Sequence, residues 1–267
     1  MSRPPTPPTE AAGRWLAEAR RVLDRIEATQ MDAIARTAEL CARAIAAGGL
    51  VHLFGTGHSR IPLEEMFPRY GSYPGFHPIA ELSMTFHTEV VGSNGQRQAM
   101  FIERVQGLAE VILSNFAFGP EDVMIVFSAS GTTAVPIEIA QGTRSRGITV
   151  VAVTSVEQSR AGESEHPTGA RLLDHADIVI DLCTPVGDAL VTFEGLDTPI
   201  GPGSTIANAA IVNEIKVQTA ARLLSLDALP PVLTSAAVVG SERSAELFES
   251  AYRDHAHRAA AALAGAT

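Results

Sequence analysis

Four hydroxyl side chains, Ser128, Ser130, Thr132 and Thr133, crowd around Gly131 at the end of the stretch Val123 to Thr133 (VMIVFSASGTT). The apolar, β-branched run ahead of them reads as a strand and Ala134 to Arg146 behind them as a helix, so the hydroxyls stand at a helix N-terminus. There the first backbone N–H groups lack intrahelical acceptors and the helix dipole is positive, which suits an anion such as a phosphate group. A polar turn capped by Ser or Thr accounts for an isolated S-x-S-G-T-T equally well. A second loop of this kind, Gly55-Thr56-Gly57-His58-Ser59, follows the short run Leu50 to Phe54 and offers Gly57, His58 and Ser59. Carboxylates are the other candidates for chemistry. Glu64 and Glu65 lie in the helix after the second loop, and Glu103 and Glu110 lie seven residues apart in an amphipathic run from Ala99 to Phe116, a spacing that permits one helical face. Each of these carboxylates also reads as a solvated helix charge.

The elements that must position these groups alternate. Apolar residues recur at helical spacing from Ala11 to Ala47, with a break near Thr29, and predict two N-terminal helices that pack on the sheet or on a second subunit. Leu50 to Phe54 is a strand, Arg60 to Tyr70 a helix with Pro62 in its first turn, and Ile79 to Leu82 a second strand or extended edge. Phe86 to Gly95 is a loop carrying His87. Strand Val123 to Phe127, helix Thr133 to Arg146 and strand Thr149 to Thr154 make a βαβ unit, followed by strand Ile178 to Cys183. Pro185 to Gly203 is a Gly- and Pro-rich loop, Ser204 to Leu226 a helix with Ser204 as N-cap, and Ser241 to Ala264 a last helix. The fold class is α/β: a doubly wound, five-stranded parallel sheet with an N-terminal helical pair and an extra C-terminal helix, whose ligand crevice lies at the carboxyl ends of the strands. Residues 1–10 are expected to be disordered, 11–226 to form the domain and 227–267 a helical extension.

Composition narrows the partners. With 267 residues, 46% apolar, the chain buries a full core, and its net charge of −10 argues against a broad nucleic-acid or anionic-membrane surface. A small phosphorylated metabolite fits better. Cys41 and Cys183 show no disulfide or zinc spacing, the His residues show no metal-ligand spacing, and no segment reaches the length of an apolar membrane span. The expectation is a cytoplasmic protein that needs no metal and no cofactor.

Taken together, GTGHS at 55–59, FSASGTT at 127–133, AVTS at 152–155 and ADIVID at 176–181 resemble the sugar isomerase (SIS) domain, the phosphosugar-binding fold, over residues 11–226. VPIEIA at 135–140 and TPVGDAL at 184–190 bring the resemblance closest to a bacterial group described only as phosphosugar isomerases. The resemblance implies that Ser128, Ser130, Gly131, Thr132 and Thr133 hold a sugar phosphate and that Gly57, His58 and Ser59 border it. It also implies that Asn213 lies on a helix beside the site. P-L-E-E-M at 62–66 is similar to the F-A-E-E-L of phosphoheptose isomerase and puts Glu65 on the general-base position. V-Q-G-L-A-E at 105–110 is similar to a V-E-G-A-E segment of N-acetylmuramic acid 6-phosphate etherase and gives Glu110 as a second catalytic carboxylate after a one-residue shift, with Glu103 as its rival. The isomerase's C-terminal acid His has no counterpart between Ile211 and Thr219.

The chemistry such carboxylates perform is removal of the acidic C2 proton of an opened phosphosugar. Reprotonation at C1 then gives a ketose, whereas loss of a C3 substituent gives an unsaturated sugar. The expected function is etherase-like elimination or dehydration of an amino-sugar 6-phosphate such as N-acetylglucosamine 6-phosphate, by Glu65 with Glu103 or Glu110. His58 would assist ring opening and His87 would lie over the ligand. Aldose–ketose isomerisation is the alternative, and a non-catalytic phosphosugar sensor is another. Residues 1–48, with seven Arg against six acidic residues, leave no room for the DNA-binding module such sensors carry. A homodimer or dimer of dimers is expected by resemblance.

Overall fold

The computed structural model describes residues 11–85 and 95–264; the expected disordered terminus and His87 lie outside the described residues. In chain order the helices are α1 (Arg14–Thr29), α2 (Met31–Ala46), α3 (Ile61–Met66), α4 (Gly95–Ile102), α5 (Leu108–Leu113), α6 (Ala134–Ser145), α7 (Val156–Ala161), α8 (Ser204–Ser225), α9 (Ala236–Val239) and α10 (Ser241–Ala264). The strands are β1 (Val51–Gly55), β2 (Phe76–Ile79), β3 (Val123–Phe127), β4 (Thr149–Thr154), β5 (Ile178–Asp181), β6 (Ala189–Val191) and β7 (Ile200–Pro202).

β1 to β5 form one parallel sheet in the order β2-β1-β3-β4-β5. Its inner strands are mostly apolar because both faces are covered; the exceptions are His52 in β1, buried against Asp122, and Thr149 and Thr154 at the ends of β4. Along β3, Val123, Ile125 and Phe127 join a core with α1, α2 and α8, while Met124 and Val126 join a second core with α5 and α6. The α1–α2 stripe is spent largely inside the chain: Ile26, Ile34, Cys41 and Ile45 are buried with Ile211 and Ile215 of α8. Packing within the chain thus accounts for most of the apolar surface that had suggested a subunit interface.

β1 leads toward β2 on one side and β3 toward β4 on the other, so the strand order reverses between β1 and β3. That reversal opens a crevice at the carboxyl ends of the two strands. Both Gly- and Ser-bearing loops leave the sheet there, as the sequence predicts.

Several elements differ from the sequence expectation. The run Ala99 to Phe116 is not one helix: α4 ends at Ile102, and α5 starts only after Gly107, whose φ of 80° is costly for other residues. The second strand is Phe76–Ile79, earlier than expected; it is an edge strand, which tolerates Pro78. The loop from Pro185 to Gly203 holds the antiparallel pair β6–β7. Ser204 is the first residue of α8 rather than its cap, and its partner there is Asp188.

Candidate functional site

Two loops shape the crevice. After β1 the chain doubles back so tightly that a Cβ on Gly55 would sit 2.2 Å from the Ser59 carbonyl oxygen, and Gly57 takes a φ of 54°. Only glycine fits Gly55 without moving backbone. After β3, Gly131 (φ 62°) donates its N–H to Ser128 Oγ at 3.1 Å, and a Cβ there would meet Thr154 Oγ1 at 2.9 Å. Thr132 Oγ1 donates to Ser130 Oγ at 3.1 Å. These bonds hold the hydroxyl loop at the start of α6. At that helix start the Val135 N–H donates to the Glu103 carbonyl and Pro136 has none to give, whereas the amides of Thr132, Thr133 and Ala134 have no acceptor among the described residues. Those amides and the α6 dipole supply the positive potential for an anion.

The resulting cavity measures about 300 Å³. Thr56, Gly57, His58 and Ser59 form one wall and Ser128, Ala129, Ser130 and Thr133 another. Met100 and Glu103 close it from α4 and the turn after it, Gln158 from α7, and Asp188, Pro202, Ser204 and Thr205 from the β6–β7 pair and the α8 start. No lysine or arginine among the described residues lines it.

Glu103 owes its place to the break between α4 and α5. Its side chain is largely buried, and one carboxylate oxygen accepts a 2.7 Å hydrogen bond from Thr56 Oγ1. Burial pushes its carboxyl above the usual carboxylate range, against the opposing effects of the Thr56 hydroxyl and the Arg104 charge 3.6 Å away. A carboxylate whose pKa is raised is a stronger base than an ordinary one, and at the mouth of an anion site it is placed to accept and return a proton.

The other candidates separate. Gly57, His58, Ser59, Ser128, Ser130 and Thr133 come together with Glu103 around the cavity; Gly131 and Thr132 shape the loop without lining it. Glu110 does not share a face with Glu103, because the break at Gly107 turns it away. It is exposed and paired with Arg146 at 2.6 Å, which lowers its pKa. Glu65 and Asn213 meet each other, at 3.2 Å, but outside the cavity lining. Burial raises the Glu65 pKa, yet the Asn213 hydrogen bond and the Lys216 and Arg69 charges outweigh it and hold the group below its ordinary value. Lys216 Nζ also donates to the Glu65 carbonyl at 2.8 Å, fastening α3 to α8. Glu64 is paired with Arg60 on the surface.

Sequence reasoning missed Thr56, Gln158 and Asp188. Asp188 closes a turn from Pro185 with a φ of 66°, and its carboxylate accepts from the Gly203 and Ser204 amides at 3.1 and 2.7 Å and from Ser204 Oγ at 2.5 Å. The Gly187-Asp188 pair inside TPVGDAL was the available signal, since the two residues share a left-handed backbone.

A model of the SIS domain matches residues 14–155. A UPF0309 protein of Listeria monocytogenes serotype 4b is 31% identical over 234 residues, covering 88% of this chain and 92% of the relative. A UPF0309 protein of Streptomyces coelicolor is 32% identical over 231 residues, covering 86% and 90%. Among solved structures, the phosphoheptose isomerase of Francisella tularensis aligns with a TM-score of 0.52 at 14% identity, over 80% of this chain and 98% of that one. That of Neisseria gonorrhoeae aligns with a TM-score of 0.50 at 14% identity, over 80% and 97%. At such identity these two show the shared fold. With the five-stranded sheet and the hydroxyl loop at its reversal point, these matches place the chain in the SIS domain family, among its UPF0309 members.

Proposed function

We propose that this chain is a phosphosugar enzyme that transfers the C2 proton of its substrate, with Glu103 as the general base. The observation that carries this reading is the position of Glu103. It is the carboxylate with a raised pKa that faces the cavity into which the hydroxyl loop also opens. Ser128, Ser130 and Thr133, with the amides at the start of α6, hold the phosphate. Thr56 fixes the Glu103 carboxylate beside the sugar carbons, and His58 assists ring opening. Glu103 takes the C2 proton of the opened aldehyde, leaving an enediol where C2 bears a hydroxyl and the corresponding enol where it bears an acetamido group. On a 2-hydroxy sugar, delivery of that proton to C1 gives a ketose; on either sugar, departure of the C3 oxygen with the proton returned by Glu103 gives an unsaturated sugar instead.

Of these outcomes we favour elimination from an amino-sugar 6-phosphate such as N-acetylglucosamine 6-phosphate. It is supported by the similarity of residues 105–110 to the etherase segment and by the absence of an acid His between Ile211 and Thr219. Aldose–ketose isomerisation remains the competing reaction of the same site, in keeping with the fold shared with phosphoheptose isomerases. Glu65, the base expected from resemblance, is the rival to Glu103. Assembly as a homodimer or a dimer of dimers belongs to the same reading, supported by the exposed Val217 and Leu224 on α8.

Incubation with N-acetylglucosamine 6-phosphate in deuterated water, followed by NMR, tests the reaction class. A dehydrated product supports elimination; isomerisation is tested in the same way with a phosphosugar that bears a hydroxyl at C2, such as glucose 6-phosphate, where a ketose product supports it. Bound substrate with no exchange at C2 contradicts both and leaves a phosphosugar sensor.

A further inference from the structure

The cavity has an unusual balance of polar groups for a site that is to hold a phosphate. Its lining carries two carboxylates, Glu103 and Asp188, and no lysine or arginine among the described residues. The Arg104 guanidinium, 3.6 Å from Glu103 but outside the lining, is shared with Glu165, with which it also forms an ion pair. Gln158 adds a third acceptor, because its Oε1 is buried with no hydrogen-bond partner among the described residues. Asp188 is also built in firmly. Its carboxylate takes three hydrogen bonds from Gly203 and Ser204 and so occupies the start of α8, the second helix N-terminus in the cavity wall. That end is therefore closed to a ligand anion, because a negative charge already sits on its amides. Only the hydroxyl loop and the start of α6 remain to receive one.

We propose that the site takes a sugar monophosphate whose remaining polar groups are hydroxyls or an ammonium, and that Asp188 and Glu103 reject any sugar phosphate bearing a second anionic group. This rests on the phosphosugar reading above and adds to it a class of substrate. One phosphate is accommodated by hydroxyls, amides and a helix dipole. A second anion would meet two carboxylates and an orphaned acceptor in a cavity that no described lysine or arginine lines, a repulsive arrangement that discriminates by charge. Hydroxyl or ammonium donors satisfy the same three acceptors. A leaving group expelled from C3 would then be neutral apart from its oxygen, which excludes a carboxylate-bearing ether.

The test is a pair of ligands matched in length and differing in one charge: glucitol 6-phosphate and 6-phosphogluconate. Isothermal titration of the full chain with each, and with inorganic phosphate as competitor, should show the gluconate binding at least about tenfold more weakly. Asp188→Asn should shrink that gap to roughly threefold or less, because asparagine keeps the left-handed turn and the acceptor to the α8 amides while removing the charge. Ser204→Ala, which retains the carboxylate, should keep the gap. Equal binding of the two ligands by the natural protein overturns the inference, as does an unchanged gap in a folded Asp188→Asn variant. If Asp188→Asn fails to fold, Glu103→Gln takes its place and should narrow the gap in the same direction; an unchanged gap there also counts against it. Failure of inorganic phosphate to compete has a different meaning: it removes the phosphosugar reading itself.

Discussion

Glu103 and Glu65 are the same residue type, 38 positions apart in sequence, and the fold treats them in opposite ways. Glu103 sits at the start of a helix break, 17% exposed, with a hydroxyl donor and the Arg104 cation at 3.6 Å, and its pKa rises. Glu65 sits on α3, 25% exposed, among Arg69 at 2.7 Å, Lys216 at 3.6 Å and Asn213, and its pKa falls. The first environment makes a carboxylate more basic than usual, and the second ties a carboxylate between two helices. Motif similarity favoured Glu65, and environment favours Glu103. A matching position and a matching environment thus point to different carboxylates, and the two can be told apart by removing each.

The sharpest way to break this comparison is to remove each carboxylate in turn. Glu103→Gln keeps the shape and should lower kcat by about 10²- to 10⁴-fold, the range of general base catalysis, with binding of inorganic phosphate unchanged by titration. The next effect belongs to the hydroxyl loop. Ser130→Ala removes a donor to a charged group and should raise KM roughly 10- to 100-fold, measured by initial rates over a range of substrate concentrations. Smaller still is the effect of Thr56→Val, which withdraws the hydrogen bond that lowers the Glu103 pKa. Rate should be lost as pH falls through the Glu103 pKa, because the base must be ionised. In the valine variant that acid limb should move to higher pH, and a pH–rate profile reads the displacement directly. The smallest effect is expected for Glu65→Gln: turnover within about threefold of the natural protein, and a stability loss under about 1 kcal/mol by urea titration at neutral pH. Since the folded Glu65 pKa is depressed, its contribution is present above the unfolded value and is lost as pH falls through the folded one. The difference between the two proteins should therefore vanish in acid.

How much of this was legible in the sequence follows from range. VMIVF, and LVHLF apart from His52, are apolar without alternation because both sheet faces are covered, and this pattern survives in one dimension. Helices α1, α2, α8 and α10 were legible from their period and their stops. The break at Glu103–Gly107 was hidden because Phe101, Val105, Leu108 and Ile112 keep a helical apolar period across it, although Phe101 and Val105 are exposed. The pair β6–β7 was hidden by the Gly and Pro residues that bend it. The site divides in the same way. The two loops were readable, since a strand, small residues and a helix start are local features. The partners of the carboxylates were not: Thr56 reaches Glu103 across 47 positions, and Asn213 reaches Glu65 across 148. Asp188 reads as an ordinary turn residue until the start of α8 is placed against it.

The central claim is that Glu103, rather than Glu65, moves the C2 proton. It is tested most directly by the rate of deuterium incorporation at C2 of N-acetylglucosamine 6-phosphate in deuterated water, followed by NMR for the natural protein, Glu103→Gln and Glu65→Gln. The account predicts that incorporation collapses in Glu103→Gln and persists in Glu65→Gln. Incorporation that persists in Glu103→Gln and collapses in Glu65→Gln would contradict it.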